Sequence, residues 1–522
     1  MALPRLTHLC ALLALTPAAA GLAAVRAPRP APADMLVGAY YFPGWDRPEH
    51  WYCVRANPHV LHPLLGYYRQ GDRETADWHI KWALEHGVAF FAFDYYSEGG
   101  SQMLEDALDA LLRSRFIGQF RFCLTWCNDG PPDRMTAEEL DRFGDLVIGK
   151  YLKHPSHLRL NGKPVVMLLN GYSFVAGLGV EGARQAFADL EAKCVAAGLP
   201  GMHLVFGHGG IQNATAIDES RAAGAQAFSL YNFPYVGTSF TGPGQPGAEA
   251  PYADLVVRGE ELWQHWRHVT GGNFWPTVMP GWDRRPWTKD QDLVRTGSTP
   301  ELFGQALRAA RQHVNDDRVV MIEAWNEWGE GSILEPSVEH GFAYLDQVRQ
   351  VFCPGAGSHR DLAPAQLGLT APVFDVELPT VDAWRFSRCT EGWERANTTE
   401  PAITGGALVV TSTTDDPALL SPPTYLRCAE YPRVSLRLRA APPPDSAATT
   451  ATGQFFWSTV ERATTGATSV TFTVALDDRW HEHVLELRNA PAWQGTTDRL
   501  RLDPVDLAGV RVMVDEVRLL RR

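Results

Sequence analysis

The stretch Glu323-Ala324-Trp325-Asn326-Glu327-Trp328-Gly329-Glu330-Gly331-Ser332-Ile333-Leu334-Glu335-Pro336 gathers four carboxylic acids, two of which, Glu327 and Glu330, lie three apart in a glycine-containing turn. Breaking a glycosidic bond needs one group that protonates the departing oxygen and a second that supplies or activates a nucleophile, and two carboxyls in different surroundings do both. A turn of this length lets both side chains face one cavity. The competing reading makes them helix-capping or solvated acids, but ordinary caps do not come flanked by two tryptophans and an asparagine. Glu323 falls within a predicted strand, where two-residue periodicity puts it on the side of Trp325 and Glu327. A charge inside a packed barrel is costly unless paired, so Glu323 reads as a supporting, hydrogen-bonded residue.

The elements that must carry this turn are legible from the hydrophobic pattern. Short apolar runs at 36–42, 88–94, 120–126, 164–170, 202–208, 226–231, 274–279 and 319–325 alternate with stretches of helical period at 73–86, 103–115, 137–152, 181–197, 252–269, 300–315 and 338–352. Strand and helix in such alternation predict a parallel sheet wrapped by helices. Eight such strands fit a (β/α)8 TIM barrel over residues 35–355. A doubly wound open sheet would advertise a glycine-rich turn after its first strand, whereas Tyr40-Tyr41-Phe42-Pro43-Gly44-Trp45 has no phosphate cradle.

Barrels place function at the C-terminal ends of their strands. The residues there are Tyr41 and Trp45; Asp94, Tyr95 and Tyr96; Trp126, Asn128 and Asp129; Asn170 and Tyr172; His208; Tyr231 and Asn232; Pro280, Trp282 and Asp283; and Asn326, Glu327 and Glu330. Rings that stack on pyranose faces, with amides and acids that bind hydroxyls, make the inventory of a carbohydrate cleft. With Glu327 and Glu330 as the catalytic pair, the substrate-binding set is Tyr41, Trp45, Asp94, Tyr95, Trp126, Asn128, Asn170, His208, Tyr231, Trp282, Asp283, Asn326 and Glu335. His208 lacks a partner histidine at ligand spacing, so no metal and no other cofactor is expected. Long loops at 43–72, 233–251 and 281–299 are expected to wall the cleft.

The rest of the chain bounds the setting. Residues 1–24 read as a signal peptide, with Arg5 and His8 ahead of a short leucine-rich run and then small residues, which predicts a secreted or periplasmic protein without a membrane span. Residues 25–34 form a Pro/Ala linker. From residue 374 to 522 the pattern turns to alternating polar and β-branched residues, predicting an all-β sandwich, jelly-roll-like, with Trp384, Trp393, Trp457, Trp480 and Trp493 as candidates for a carbohydrate-binding platform and core packing as the competing reading. Cys389 and Cys428 could bridge within it. A formal charge of -13 repels phosphate backbones, so the expected partner is a polysaccharide or glycan and not nucleic acid. The sequence sets no oligomeric state.

Trp325-Asn326-Glu327-Trp328-Gly329-Glu330-Gly331, Leu334-Glu335-Pro336 and Gly341-Phe342-Ala343-Tyr344-Leu345, together with Leu65-Gly66-Tyr67-Tyr68, Gly71-Asp72, Asp94-Tyr95-Tyr96 and Pro280-Gly281-Trp282-Asp283, resemble the WbsX-like proteins and glycoside hydrolase family 99, the endo-α-mannosidases. The resemblance spans most of residues 35–352 and leaves out the sandwich. It implies a retaining hydrolase acting on an α-mannoside-like glycan. In that family the first glutamate is a base toward the sugar's own 2-hydroxyl, giving a 1,2-anhydro intermediate, and the second is the acid/base. Carried over, these are Glu327 and Glu330. The chain has Gly329 where the mannosidases typically carry histidine.

Two other functions compete. WbsX-like proteins have been labelled glycosyltransferases, but an exported chain meets no nucleotide-sugar pool, and the Asp290-Gln291-Asp292 match is mid-loop. A non-catalytic carbohydrate-binding protein would keep the cleft without needing the glutamate pair.

Overall fold

The computed structural model describes residues 25–99, 101–128, 135–208, 213–369, 371 and 375–522; the predicted signal segment, residues 1–24, and Asp129 lie outside them. The first part of the chain is a closed parallel barrel of β1 (Leu36–Tyr41), β2 (Val88–Glu98), β3 (Arg121–Trp126), β4 (Lys163–Leu168), β5 (His203–His208), β6 (Ala227–Leu230), β7, and β8 (Val319–Ile322). β7 is interrupted. Pro276 has no N–H to give a ladder, and it divides the strand into Phe274–Trp275 and Thr277–Val278. The first half pairs with β6 and the second with β8, while β8 pairs with β1, so the broken strand completes the cylinder.

Strand parity decides what each residue faces. Tyr40, Phe90, Ala92, Cys123, Val165, Met167, Val205, Ala227, Trp275, Val319 and Met321, contributed by all eight strands, form a separate core that fills the lumen. The alternate residues, among them Tyr41, Phe91, Phe93, Tyr95 and Trp126, belong to the larger core between strands and helices. This is the two-residue period of a strand closed on itself.

The expected helices are present as Arg73–Glu85, Asp106–Leu112, Ala137–Val147, Gly171–Ala196, Tyr252–Val269, Pro300–Ala310 and Ala343–Phe352. Three more, Pro48–Ala56 in the first long loop, Ala214–Ala223 after β5 and the short Arg285–Thr288 in the third long loop, were not expected. Among the described residues no helix is long and apolar enough to cross a membrane. The Pro/Ala segment is not a free linker but packs on the base of the barrel, where Ala31 N donates to Leu84 O at 2.8 Å and Arg29 N to Glu85 Oε1 at 3.1 Å.

The C-terminal strands form two antiparallel sheets around their own apolar core. One is built on Arg433–Ala441 and Arg511–Leu520, the other on Thr450–Thr459 and Thr497–Asp503. Trp384, Trp393, Trp457 and Trp493 are buried in that core, so they pack the sandwich and offer no surface platform. The expected disulfide is also absent. Cys389 is exposed, Cys428 is buried with its thiol donating to Gln494 O at 3.5 Å, and both are free. The sandwich meets the long loops at the active end of the barrel: Lys289 pairs with Asp498 at 2.8 Å, His59 with Glu461 at 3.0 Å, and Ala463 N donates to Asp290 Oδ1 at 2.9 Å.

Candidate active site

The two glutamates ride a β-hairpin just beyond β8. Asn326–Glu327 pairs antiparallel with Ser332–Ile333, Glu330 N donates to Glu327 O at 3.0 Å, and Glu330 falls in the turn. Gly331 closes that turn at φ +68°, and a Cβ there would lie 2.7 Å from the backbone nitrogen of Asp283, so backbone shape and close approach both demand glycine. Asn326 anchors the hairpin to β1: its Oδ1 accepts from Phe42 N and its Nδ2 donates to Phe42 O, both at 2.9 Å.

Glu327 is almost fully buried and faces β2 and β6. The Tyr231 hydroxyl lies 3.1 Å from Glu327 Oε1 and 2.7 Å from Asp94 Oδ2. A phenol has a single hydrogen, so it bridges two carboxyls only when one of them is protonated and donates back. Burial, with the charges of Glu330, Asp94 and Glu323 nearby, accordingly holds the Glu327 carboxyl well above the usual carboxylate range, the Tyr231 hydrogen bond opposing. Glu323 is raised in the same way, mainly by burial and Glu330, and its Oε2 accepts from Ser332 Oγ at 2.7 Å. The supporting reading of Glu323 agrees with that bond. Its predicted partner on the same side does not follow, because Trp325 packs in the outer core and Ala324 in the lumen.

Glu330 is the more accessible acid, with 15% of its side chain exposed. Its Oε1 is 3.2 Å from Arg284 Nε, and Oε2 has no protein hydrogen-bond partner among the described residues. Burial raises this carboxyl to about 7, with Arg284 opposing the rise and Asp292 adding to it. Arg284 is held in turn by Asp292 at 3.4 Å, and Asp292 accepts from the Tyr235 hydroxyl at 3.0 Å. These residues come from the second and third long loops, which a small sheet of Ala248–Pro251, Leu293–Thr296 and Trp282–Asp283 ties together.

Not every predicted residue joins this group. Asp94 and Tyr231 do. Tyr41, Tyr95 and Trp126 have the outward parity: the Tyr41 hydroxyl bonds His79 Nδ1 at 2.9 Å, Tyr95 packs edge-on to Phe143, and Trp126 stacks on Phe143 at 5.1 Å. Glu335 is buried behind the hairpin, its oxygens held by His79 Nε2 at 3.1 Å, the Tyr68 hydroxyl at 2.7 Å and Trp328 Nε1 at 3.2 Å. Asn128 and Asn170 clasp each other, Asn128 Nδ2 donating to Asn170 O at 2.9 Å and Asn170 N to Asn128 Oδ1 at 2.8 Å, while the Asn170 side chain caps the following helix. Asp283 pairs with Arg285 at 2.5 Å, and Trp282 is buried beneath Arg284. Trp45 is buried, its indole donating to Asn326 O at 2.8 Å. His208 ends β5, and its side chain is not among those described.

The structure adds Arg284 and Trp287, and of the strand-end residues left out of the binding set it brings in Tyr96. Tyr96 shares the inward parity of Asp94, and its phenol is pushed up by burial and by the charges of Cys127, Asp94 and Glu327. Trp287 is the exposed ring: 39% accessible, it stacks on Trp45 at 5.8 Å and covers the hairpin, since a Cβ on Gly329 would meet its Nε1 at 1.8 Å. Gly329 thus makes room for Trp287. The parity of Asp94 and Tyr96 was readable in the sequence; the loop residues carried no periodic signal.

The sequence model of the family described as Glycosyltransferase WbsX matches residues 51–348. The uncharacterized protein WxcX of Xanthomonas campestris pv. campestris is 23% identical over 303 residues, covering 55% of this chain and 42% of its own, so the chain spans less than half the length of that relative. Among solved structures, a glycoside hydrolase-like protein aligns at TM-score 0.49 and 19% identity, over 63% of this chain and 97% of its own. The GH99 endo-alpha-mannosidase from Bacteroides thetaiotaomicron aligns at 0.44 and 16%, over 60% and 95%. Because the family match takes in more than half of the chain, including the hairpin and the first part of the helix after it, the chain belongs to the WbsX family.

Proposed function

We propose that the chain is a glycoside hydrolase that cleaves a glycan, an α-mannoside-like polysaccharide being the favoured substrate, with Glu327 and Glu330 as its reacting pair. The observation that carries this reading is the Glu330 carboxyl: on a side chain 15% exposed, its Oε1 beside Arg284, its Oε2 buried without a hydrogen-bond partner among the described residues, and brought to about 7, it releases and regains a proton with similar ease near neutral pH. That is the property of a group that protonates a leaving oxygen and then activates water. Glu327 is the base. Of the pair it is the firmer proton holder; the reactive arrangement has the proton of the pair on Glu330 and the charge on Glu327, where the Tyr231 hydroxyl supports it. Trp287 offers a face for a sugar ring.

A glycosyltransferase would use Asp290-Gln291-Asp292 to hold a metal-bound nucleotide sugar. Here Asp292 is committed to Arg284, Tyr235 and the Leu293 amide, and Asp290 to Ala463 of the sandwich. Incubation with α-mannans and bacterial polysaccharides in the absence of any nucleotide sugar is expected to release reducing ends. Chain extension that appears only when a nucleotide sugar is added would replace hydrolysis with transfer.

The pH profile gives a second check. With Glu327 the firmer proton holder, the active form, Glu330 protonated and Glu327 ionised, gains population as the pair loses its first proton, so kcat/KM rises with pH up to about 7 and falls only at higher pH. Arg284 lowers the proton affinity of Glu330, so Arg284→Gln destabilises the carboxylate and moves that ascending limb to higher pH. A limb that stays in place, or moves down, separates Glu330 from the titration.

A further inference from the structure

At the opposite end of the barrel, where helix Arg73–Glu85 turns toward β2, lies a cluster that glycan cleavage does not use. His86 is buried, and its Nδ1 is 2.7 Å from Trp82 O. A carbonyl only accepts, so the hydrogen is on Nδ1 and points away from the cluster. Its Nε2 faces Asp361 Oδ1 at 3.0 Å and Asp346 Oδ1 at 3.7 Å. His359 Nε2 approaches the same Asp361 Oδ1 at 3.2 Å and Glu85 Oε2 at 3.8 Å, yet it is buried without a hydrogen-bond partner. The imidazole rings cross at 88° with centroids 5.1 Å apart.

Two ring nitrogens turned on one carboxylate oxygen need a cation between them. A proton on His86 would satisfy the bond to Asp361 and would leave His359 Nε2 unserved. A divalent ion serves all three, and their ligand atoms lie within 4.8 Å of one another. Around a tetrahedral zinc with bonds of about 2.0–2.1 Å, neighbouring ligand atoms are about 3.3 Å apart, and the two measured edges are 3.0 and 3.2 Å. The Nδ1–H bond to a backbone carbonyl is the support that fixes a metal-bound imidazole. A cavity of about 580 Å³, lined in part by Glu85, His359 and Arg349, gives an entry path.

The geometry points to a divalent metal site of the zinc class built from His86 Nε2, His359 Nε2 and Asp361 Oδ1, with Glu85 or Asp346 as the next carboxylate. The site joins the start of the barrel to the segment that leaves its last helix for the sandwich, so the ion is a structural staple. Binding to the folded state alone raises thermal stability, and turnover at the distant glutamates stays the same.

The test uses the full chain, stripped with a chelator and titrated with Zn²⁺ alone by calorimetry. About one equivalent is expected to bind with micromolar or tighter affinity and to raise Tm by several degrees. His359→Ala, which removes a ring whose Nε2 has no hydrogen bond among the described residues, is expected to weaken binding about ten-fold or more while leaving the metal-free Tm near that of the parent. Co²⁺ in the parent protein, read by its visible absorption, is expected to show a four-coordinate spectrum, which keeps the test decisive if the variant misfolds. No saturable Zn²⁺ binding, equal affinity in parent and variant, or a Co²⁺ spectrum like that of the hydrated ion would each overturn the site.

Discussion

Glu330→Gln is expected to lower kcat on a glycan by about 10²–10⁴-fold while leaving glycan affinity near that of the parent. Glutamine keeps the size of the side chain and can still lie beside Arg284, but an amide neither gives nor takes a proton in the working pH range. The change therefore removes proton transfer and little else. Two further signs distinguish this from general damage. The ascending pH limb near 7 disappears with the group that titrates there, and a substrate with a good leaving group, which needs no protonation, recovers much of its bond-breaking rate. A non-catalytic glycan-binding protein would show no turnover to lose. Unchanged turnover in Glu330→Gln would remove the residue from the mechanism.

The second large effect falls on stability. Glu335 is fully buried and holds His79, Tyr68 and Trp328 at once, and Trp328 stands between the two glutamates on the hairpin. Glu335→Ala leaves three buried donors facing a void, and removing one member of such a buried polar cluster costs about 3–5 kcal/mol. Thermal or denaturant unfolding reads this directly. A positioning residue predicts that the surviving folded fraction keeps its KM, whereas a sugar ligand predicts a KM rise with normal stability. The latter outcome would return Glu335 to the cleft.

Much of the barrel could be read from the sequence because strand and helix periods alternate along most of it, and the proline that splits β7 falls inside a run that is otherwise apolar except for Thr277. The sandwich was readable as β structure from its alternation, although four of its five tryptophans proved to be core residues, as large rings commonly are when two sheets need filling, and only Trp480 is partly exposed, beneath Arg437. At the site, chemistry was legible and direction was not. Listing whole strand ends drew in Tyr41, Tyr95 and Trp126, which strand parity sends outward once Tyr40, Asp94 and Tyr231 are fixed as inward. Glu335 carried no warning, since Tyr68 and His79 are 267 and 256 residues away from it. Arg284 and Trp287 come from a loop whose course is set by pairing with another loop, Leu293–Thr296 against Ala248–Pro251, and no local pattern announces that.

The most direct test is a crystal structure of Glu330→Gln with an uncleaved glycan. The expected complex has the glycosidic oxygen within hydrogen-bond reach of residue 330, the 2-hydroxyl of the adjoining sugar at Glu327, and a ring against Trp287. A glycan seated away from the hairpin, with neither glutamate in contact, would contradict the assignment of this pair to bond cleavage.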